Sequence, residues 1–210
     1  MPPLTIQCPA CGAGVDVHNP GIVTIVCAYC GHAVYWDGAK VEAAGQQSIL
    51  PEGITRLYRG ACGVILGKRF SVMGRVRYSF GAGFWDEWFL EYDNGAIAWL
   101  SEDNFELALQ ERIAAAAPPD WAALRPGDHF AFQGTAFYLQ EIGAASCLGM
   151  EGALPKKANT GDAYKYADAV SGDGKKVLGV EFAAAAPELF LGRFINHGDI
   201  ALNFEALDWT

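Results

Sequence analysis

Basic side chains are scarce in this chain. Its 210 residues carry 15 Lys and Arg against 24 Asp and Glu, a formal net charge of −9, and residues 1–38 contain no Lys or Arg at all. Phosphate contacts need cations that displace condensed counterions, so the balance argues against nucleic acid as a partner and against an anionic membrane surface. Long apolar runs are also missing. The uncharged stretch Val17–Trp36 is interrupted by His, Asn, Pro and Cys, so no direct membrane insertion is expected. The start MPPLTIQC lacks the basic region and apolar core of a secretory leader, and the expected location is cytoplasmic. A Gly-rich phosphate loop and a nucleophile elbow are equally absent.

Cysteine, by contrast, is patterned. Of six cysteines, four form two CxxC pairs, Cys8/Cys11 and Cys27/Cys30, in CPACGAGVDVHNPGIVTIVCAYCG. Two intervening residues let both thiolates of one turn reach a single ion at about 2.3 Å, and two such turns complete a tetrahedron. Gly12 and Gly31 follow the second Cys of each pair, where a tight knuckle favours a positive φ. Strands are predicted over Ile22–Val26 and Ala33–Trp36. The expectation is a zinc ribbon holding one structural Zn2+, with four ligands and no open position for water. His18 and His32 read as loop residues near the knuckles. Disulfides are not expected, because paired CxxC motifs point to metal binding in a reducing compartment.

The rest of the chain reads as mainly β. Residues 39–53 mix small and polar side chains and are predicted to be a linker between the ribbon, 1–38, and the β region. LYRGACGVILGKRF from Leu57 and LRPGDHFAFQGTAF from Leu124 align at a constant offset: Leu57/Leu124, Gly60/Gly127, Gly67/Gly134 and Phe70/Phe137 are identical pairs. This predicts two small related β-barrel or β-sandwich-like domains, 54–116 and 117–210, divided at the double proline of Ala114–Asp120. FELALQERI has both strand and helix spacing, and its initial period of two favours a strand. The stretch MEGALPKKANTGDAYKYADAV, with Lys156, Lys157, Lys165, Tyr164 and Tyr166 among Asp162 and Asp168, reads as a solvated loop.

The segment WDEWFLEYDNGAIAWL holds most of the candidate chemistry. Asn94-Gly95 predicts a two-residue type I′ turn, which sets Tyr92 against Ile97 and Leu90 against Trp99, with Trp88 on that core side. Glu87, Phe89 and Glu91 then face outward, opposite Glu102, Leu100 and Ala98. Phe89, Leu100, Glu87 and Glu91 are thus the candidate face for a protein partner. A catalytic alternative pairs Glu87 with Glu102, or uses His129, in a hydrolase or transferase. Cys62 and Cys147 read as buried small hydrophobes, and His197 has no evident partner.

The CPxCG…CxYC ribbon, the block GKRFSVMGRVRYSFGAGFWDEWFLEYDNGAIAWLSED, then EGALP, YKYADAVSGDGKKVLGVEF and LFLGRFI together resemble bacterial zinc-ribbon proteins of the domain of unknown function family 4178, in tandem copies. The likeness runs from Cys8 to about Leu202. Its most specific pieces are WDEW and WLSE, at Trp85–Trp88 and Trp99–Glu102, and EGALP, at Glu151–Pro155. The resemblance implies an accessory component of a bacterial stress- or envelope-related system. With no catalytic constellation in view, the expected function is a non-enzymatic, zinc-stabilised protein-binding module or adaptor.

Overall fold

The computed structural model describes residues 4–51, 53–114, 120–182 and 187–203. Of the predicted break at Ala114–Asp120, only the two end residues are among them. The described residues form strands and one 3-10 turn, His197–Asp199, and no helix among them is long and apolar enough to cross a membrane.

The N-terminal ribbon comprises β1 (Leu4–Gln7), β2 (Gly14–Val17), β3 (Thr24–Val26), β4 (His32–Trp36) and β5 (Val41–Gln47). β1 and β2 make a hairpin around the first knuckle, and β3–β4–β5 carry the second. The predicted linker is therefore partly strand. Ser48 then ties the segment after β5 to Met150: its hydroxyl donates to the Met150 carbonyl and accepts from the Met150 amide, both at 2.6 Å.

The β region contains β6 (Cys62–Ile65), β7 (Lys68–Ser79), β8 (Phe84–Tyr92), β9 (Ile97–Asp103), β10 (Glu106–Ile113), β11 (His129–Phe132), β12 (Thr135–Leu154), β13 (Ala163–Ser171), β14 (Lys176–Glu181), β15 (Glu188–Ile195) and β16 (Ile200–Leu202). FELALQERI is strand, as its first spacing predicts. The two β segments do not close separately. β7–β8–β9–β10 continues through β15–β14–β13–β12, and β12 returns to β7, giving one closed antiparallel ring of eight strands. Closure leaves no exposed edge in the ring. Gly74 faces Gly152 across the closing pair, and a Cβ on either would strike backbone of the opposite strand. β12 runs past the ring and pairs with β3, so barrel and ribbon share one long strand.

The 67-residue offset has a geometric counterpart. β6 and β11 each enter a hairpin through a two-residue turn with both φ positive, Leu66-Gly67 and Gln133-Gly134. The Gly60 amide donates to the Val72 carbonyl as the Gly127 amide does to that of Leu139, at 2.9 and 2.7 Å. A bulge then falls between Val72 and Gly74 in β7 and between Leu139 and Glu141 in β12. Each bulge adds one residue and reverses which parity faces inward. Phe70 and Val72 point out of the ring and Val76 and Tyr78 point in. Phe137 and Leu139 point out and Glu141 points in.

The hairpin register corrects the predicted faces. Gly95 has φ +78 and Asn94 is not in the left-handed region, so the turn holds three residues, Asp93–Gly95, closed by the Tyr92 amide on the Ala96 carbonyl at 2.8 Å. That single extra residue shifts the pairing. Trp88 faces Leu100, Phe89 faces Trp99, Glu87 faces Ser101 and Asp86 faces Glu102. Leu100 belongs to the outer apolar cluster with Trp88 and Leu90 and is fully buried, while Phe89 is 1% exposed inside the ring, its centroid 5.3 Å from that of Trp99. Glu91 accepts a 2.9 Å bond from Asn19 Nδ2 of the ribbon. The proposed partner face at Phe89 and Leu100 is core.

Outside the ring, the same register builds a buried ionic network. Arg77 grips Asp86 with two bonds of 2.8 and 2.7 Å and donates to the Pro51 carbonyl at 2.9 Å. Arg75 pairs with Glu151 at 2.9 Å and lies over the Trp88 ring, whose Nε1 donates to Glu102. Thr55 supplies the second donor to Glu102. Breaking such a pair strands a buried charge. Asp86→Ala is therefore expected to cost about 3–5 kcal/mol of unfolding free energy in a urea titration. Phe89→Asp, which buries a carboxylate in the apolar end of the barrel, should abolish the cooperative thermal transition altogether. A native-like transition in Phe89→Asp would contradict this hairpin register.

Candidate functional site

The four ribbon thiols converge. Cys8, Cys11, Cys27 and Cys30 place their sulfurs within 4.8 Å of one another, with Cys8–Cys30 at 3.7 Å and Cys11–Cys27 at 3.8 Å. A tetrahedron with metal–sulfur bonds of about 2.3 Å has edges of about 3.8 Å, so the thiol set fits one metal ion. Each knuckle is made by an amide returning to the first cysteine carbonyl, Gly12 to Cys8 and Gly31 to Cys27, both at 2.8 Å, with φ of +76 and +73. His18 is exposed. His32 begins β4 with its Nδ1 3.3 Å from the Cys30 carbonyl, so neither histidine belongs to the thiol cluster.

A second site lies inside the ring. Side chains from seven of its eight strands enclose a cavity of about 270 Å³, near the lower end of the range of about 300–1,000 Å³ typical of small-molecule sites. Six of the lining residues are carboxylates, Glu87, Asp103, Glu106, Glu141, Asp168 and Glu181, and none is Lys or Arg. Trp85, Trp99, Tyr164 and Tyr166 supply aromatic wall. Asp103, Glu106 and Glu141 are exposed at the rim, whereas Glu87, Asp168 and Glu181 are half-buried because they look onto the lumen rather than bulk water. One end is closed by Phe89, Trp99 and Phe190, which join the apolar core of the ribbon.

Burial pushes the Glu87 carboxyl up to about 8, with Glu181 and Asp168 adding to the effect and Lys156 and the 3.0 Å bond from Trp85 Nε1 opposing it. Burial also raises Asp168 to about 7, reinforced by Glu141, Glu181 and Asp103. Asp168 makes no hydrogen bond or ion pair among the described residues. Burial, and then Glu141, raise Asp103 as well. Burial thus favours the protonated forms of Glu87 and Asp168, while Glu181 is paired with the Lys156 ammonium at 2.9 Å. The lumen carboxylates do not converge as a metal cluster would; among the described residues only the four thiols do so.

Sequence reasoning placed Glu87 at this hairpin and missed most of its neighbours. Glu87 and Glu102 point to opposite faces of the sheet, so the predicted catalytic pair is not formed. His129 is exposed beside Tyr138, His197 lies against the Phe105 carbonyl, and Cys147 is buried with its thiol pushed up to about 11 by burial. Cys62 is half-buried in β6. The stretch predicted as a solvated loop contains β13, where Tyr164, Tyr166 and Asp168 share the inward face and Ala167 and Ala169 the outward one. Their spacing of two was the available signal.

Because Glu87 and Asp168 are raised in the folded state, the fold binds more protons than the unfolded chain between the usual carboxyl range of about 4 and about 7 and 8. These two groups therefore favour the fold at acid pH and progressively lose that contribution as pH rises through the window. Urea unfolding of the ligand-free protein should show this fall, and Glu87→Gln or Asp168→Asn should flatten it. Profiles parallel to the native one would show that these carboxyls are not confined in the lumen.

No curated protein and no solved structure matches the chain. Residues 59–197 match one family in a single stretch that runs through both β segments and covers more than half of the chain. The eight-stranded ring with its outer arginine network and acidic lumen falls within that stretch, and the chain belongs to the family described as Domain of unknown function (DUF4178).

Proposed function

We propose that this protein is a non-enzymatic binding module whose barrel lumen takes up a small organic cation and whose ribbon is stabilised by one structural zinc ion. The observation that carries this reading is the lining of the cavity, six carboxylates of which Glu181 alone is paired with a Lys or Arg among the described residues, walled by indole and phenol rings. Carboxylates distributed around an enclosed cavity focus a negative potential inside low-dielectric walls, and aromatic faces attract ammonium or guanidinium groups. The acids are spread around the wall instead of meeting at one point, which suits a cation of several atoms better than a bare metal ion. The expectation of a binding module is kept, and the bound species moves from a protein docked on the hairpin to a small molecule inside the ring.

In the ribbon, four soft thiolates at tetrahedral spacing favour zinc, and a closed set of four is structural. A thiolate site of this kind suits the reducing cytoplasm. The ribbon is no independent appendage, since Cys8, Cys27 and Ile25 share a buried cluster with Tyr78, Phe89 and Trp99 of the barrel. Metal analysis is expected to find one zinc per chain. Cys27→Ser should lose it and lower the melting temperature of the barrel along with the ribbon; full zinc retention by that variant would refute the four-thiolate site.

Isothermal titration with n-propylammonium and guanidinium tests the lumen. A bound cation favours ionised Asp168 and Glu87, so affinity should rise as pH passes through about 7 and 8 and binding should release protons. Asp168→Asn should weaken binding by about tenfold or more. Equal binding of neutral analogues such as propanol, or no binding of either cation, would overturn the reading.

A further inference from the structure

One cation already sits in the lumen, and it belongs to the chain. Lys156 follows β12 on a loop tied to the ribbon: the Thr24 hydroxyl donates to the Lys156 carbonyl at 2.7 Å, and the Tyr35 hydroxyl donates to that of Ala158 at 3.3 Å. The Lys156 ammonium turns inward. It donates to both oxygens of Glu181, at 3.0 and 2.9 Å, and lies 5.5, 5.1 and 5.9 Å from the ring centroids of Tyr78, Trp99 and Tyr164. A lysine with access to solvent normally keeps its charged head in water; the neighbouring Lys157 is exposed and lies over Tyr35. Burial works against the charge of Lys156, and Tyr78, Glu181 and Glu87 more than offset it, raising its pKa. Three aromatic rings and a carboxylate around an ammonium form a cation cage.

Towards the rim the lumen is different. Asp103, Glu141 and Asp168 line it without any basic residue, beside Trp85 and Tyr166, whose rings meet edge to face at 5.3 Å. The cavity therefore has one cation position filled by the chain and one acidic position open.

We propose that the inner part of the lumen is an alkylammonium subsite occupied by the chain's own Lys156, and that this tethered ammonium sets the length of ligand the barrel accepts. The open position at Asp103, Glu141 and Asp168 takes one cationic group. A second ammonium on the same ligand is refused, because the cage that fits it is filled. This rests on the reading of the lumen as a site for organic cations. The loop anchors at Thr24 and Tyr35 also make the ribbon the element that presents Lys156 to the barrel.

Calorimetry on the full chain tests it with n-propylammonium and diaminopentane. The native protein should take one propylammonium and gain nothing from the second amine of diaminopentane. Lys156→Ala empties the cage, so it should take two propylammonium ions and bind diaminopentane about tenfold or more tighter than the native protein does, through linkage of the two sites. Lys156→Met, which keeps the cage filled without a charge, should still take one. Where Lys156→Ala fails to fold alone, propylammonium should restore its near-ultraviolet circular dichroism and sodium chloride should not. A single propylammonium and unimproved diamine binding in a folded Lys156→Ala, or no rescue of an unfolded one, overturns the subsite while leaving the open position intact. Absence of any cation binding to the native protein together with one bound propylammonium in Lys156→Ala would instead remove the open position and support the inner cage.

Discussion

The pairing of β12 with β7 is the constraint on which the rest of the molecule depends. It converts a curved sheet into a ring, and a ring has an inside. Without it, the row of carboxylates on β8, β13 and β14 would face water and titrate as ordinary surface acids. With it, those side chains share an enclosed volume, and burial there raises the proton affinity of Glu87 and Asp168. The pairing also fixes the ribbon, because β12 leaves the ring and continues directly into the sheet that bears the second cysteine knuckle. The Gly74–Gly152 contact shows how tightly the two strands approach at this seam.

Closure sorts the charges by parity. Asp86 and Glu102 project outward, where Arg77, Trp88 and Thr55 give each of them donors in a dry environment. Glu87, one residue from Asp86, projects inward and meets a single indole N–H. Adjacent carboxylates in one strand thus have opposite roles: one completes a structural ion pair, the other remains underpaired in a cavity. Fully paired buried charges hold geometry, while underpaired ones raise the free energy of the empty protein and favour a ligand that supplies the missing cation. The lumen has the second character, and among the described residues Lys156 with Glu181 is the one ion pair within it by which the chain meets that demand itself.

The ribbon gains a reason for its attachment. Its four thiols organise a small β unit whose apolar side packs into one end of the barrel, and its strands β3 and β4 hold the loop that inserts Lys156. A metal bound by the four thiols would stiffen the knuckles, since each thiolate would be bonded to a common centre. The ribbon would then be a suitable anchor for a side chain that must stay inside a barrel against the pull of solvation.

How much of this was written in the sequence follows from the range of the interactions involved. The four-cysteine cluster was legible because its determinants are local: two residues between thiols, a glycine after each pair, short strands between. The β character and the strand at Glu106–Ile113 were legible from alternation, and the 67-residue offset from four matched residues. The pairing across the Trp85–Leu100 hairpin was not, because Asn94-Gly95 is compatible with two turns that differ by one residue, and that residue moves Leu100 to the side of Trp88 and Trp99 to the side of Phe89, while Glu87 and Phe89 keep their common face. Nor was the lumen, since a bulge at Met73 or Gln140 reverses inward and outward without a composition signal. The sequence by itself determined which residues carry charge, sulfur and aromatic rings and which stretches are extended. Only the tertiary structure decided which of them share an interior, because that depends on strand pairings between residues far apart in the chain and on register set to a single residue.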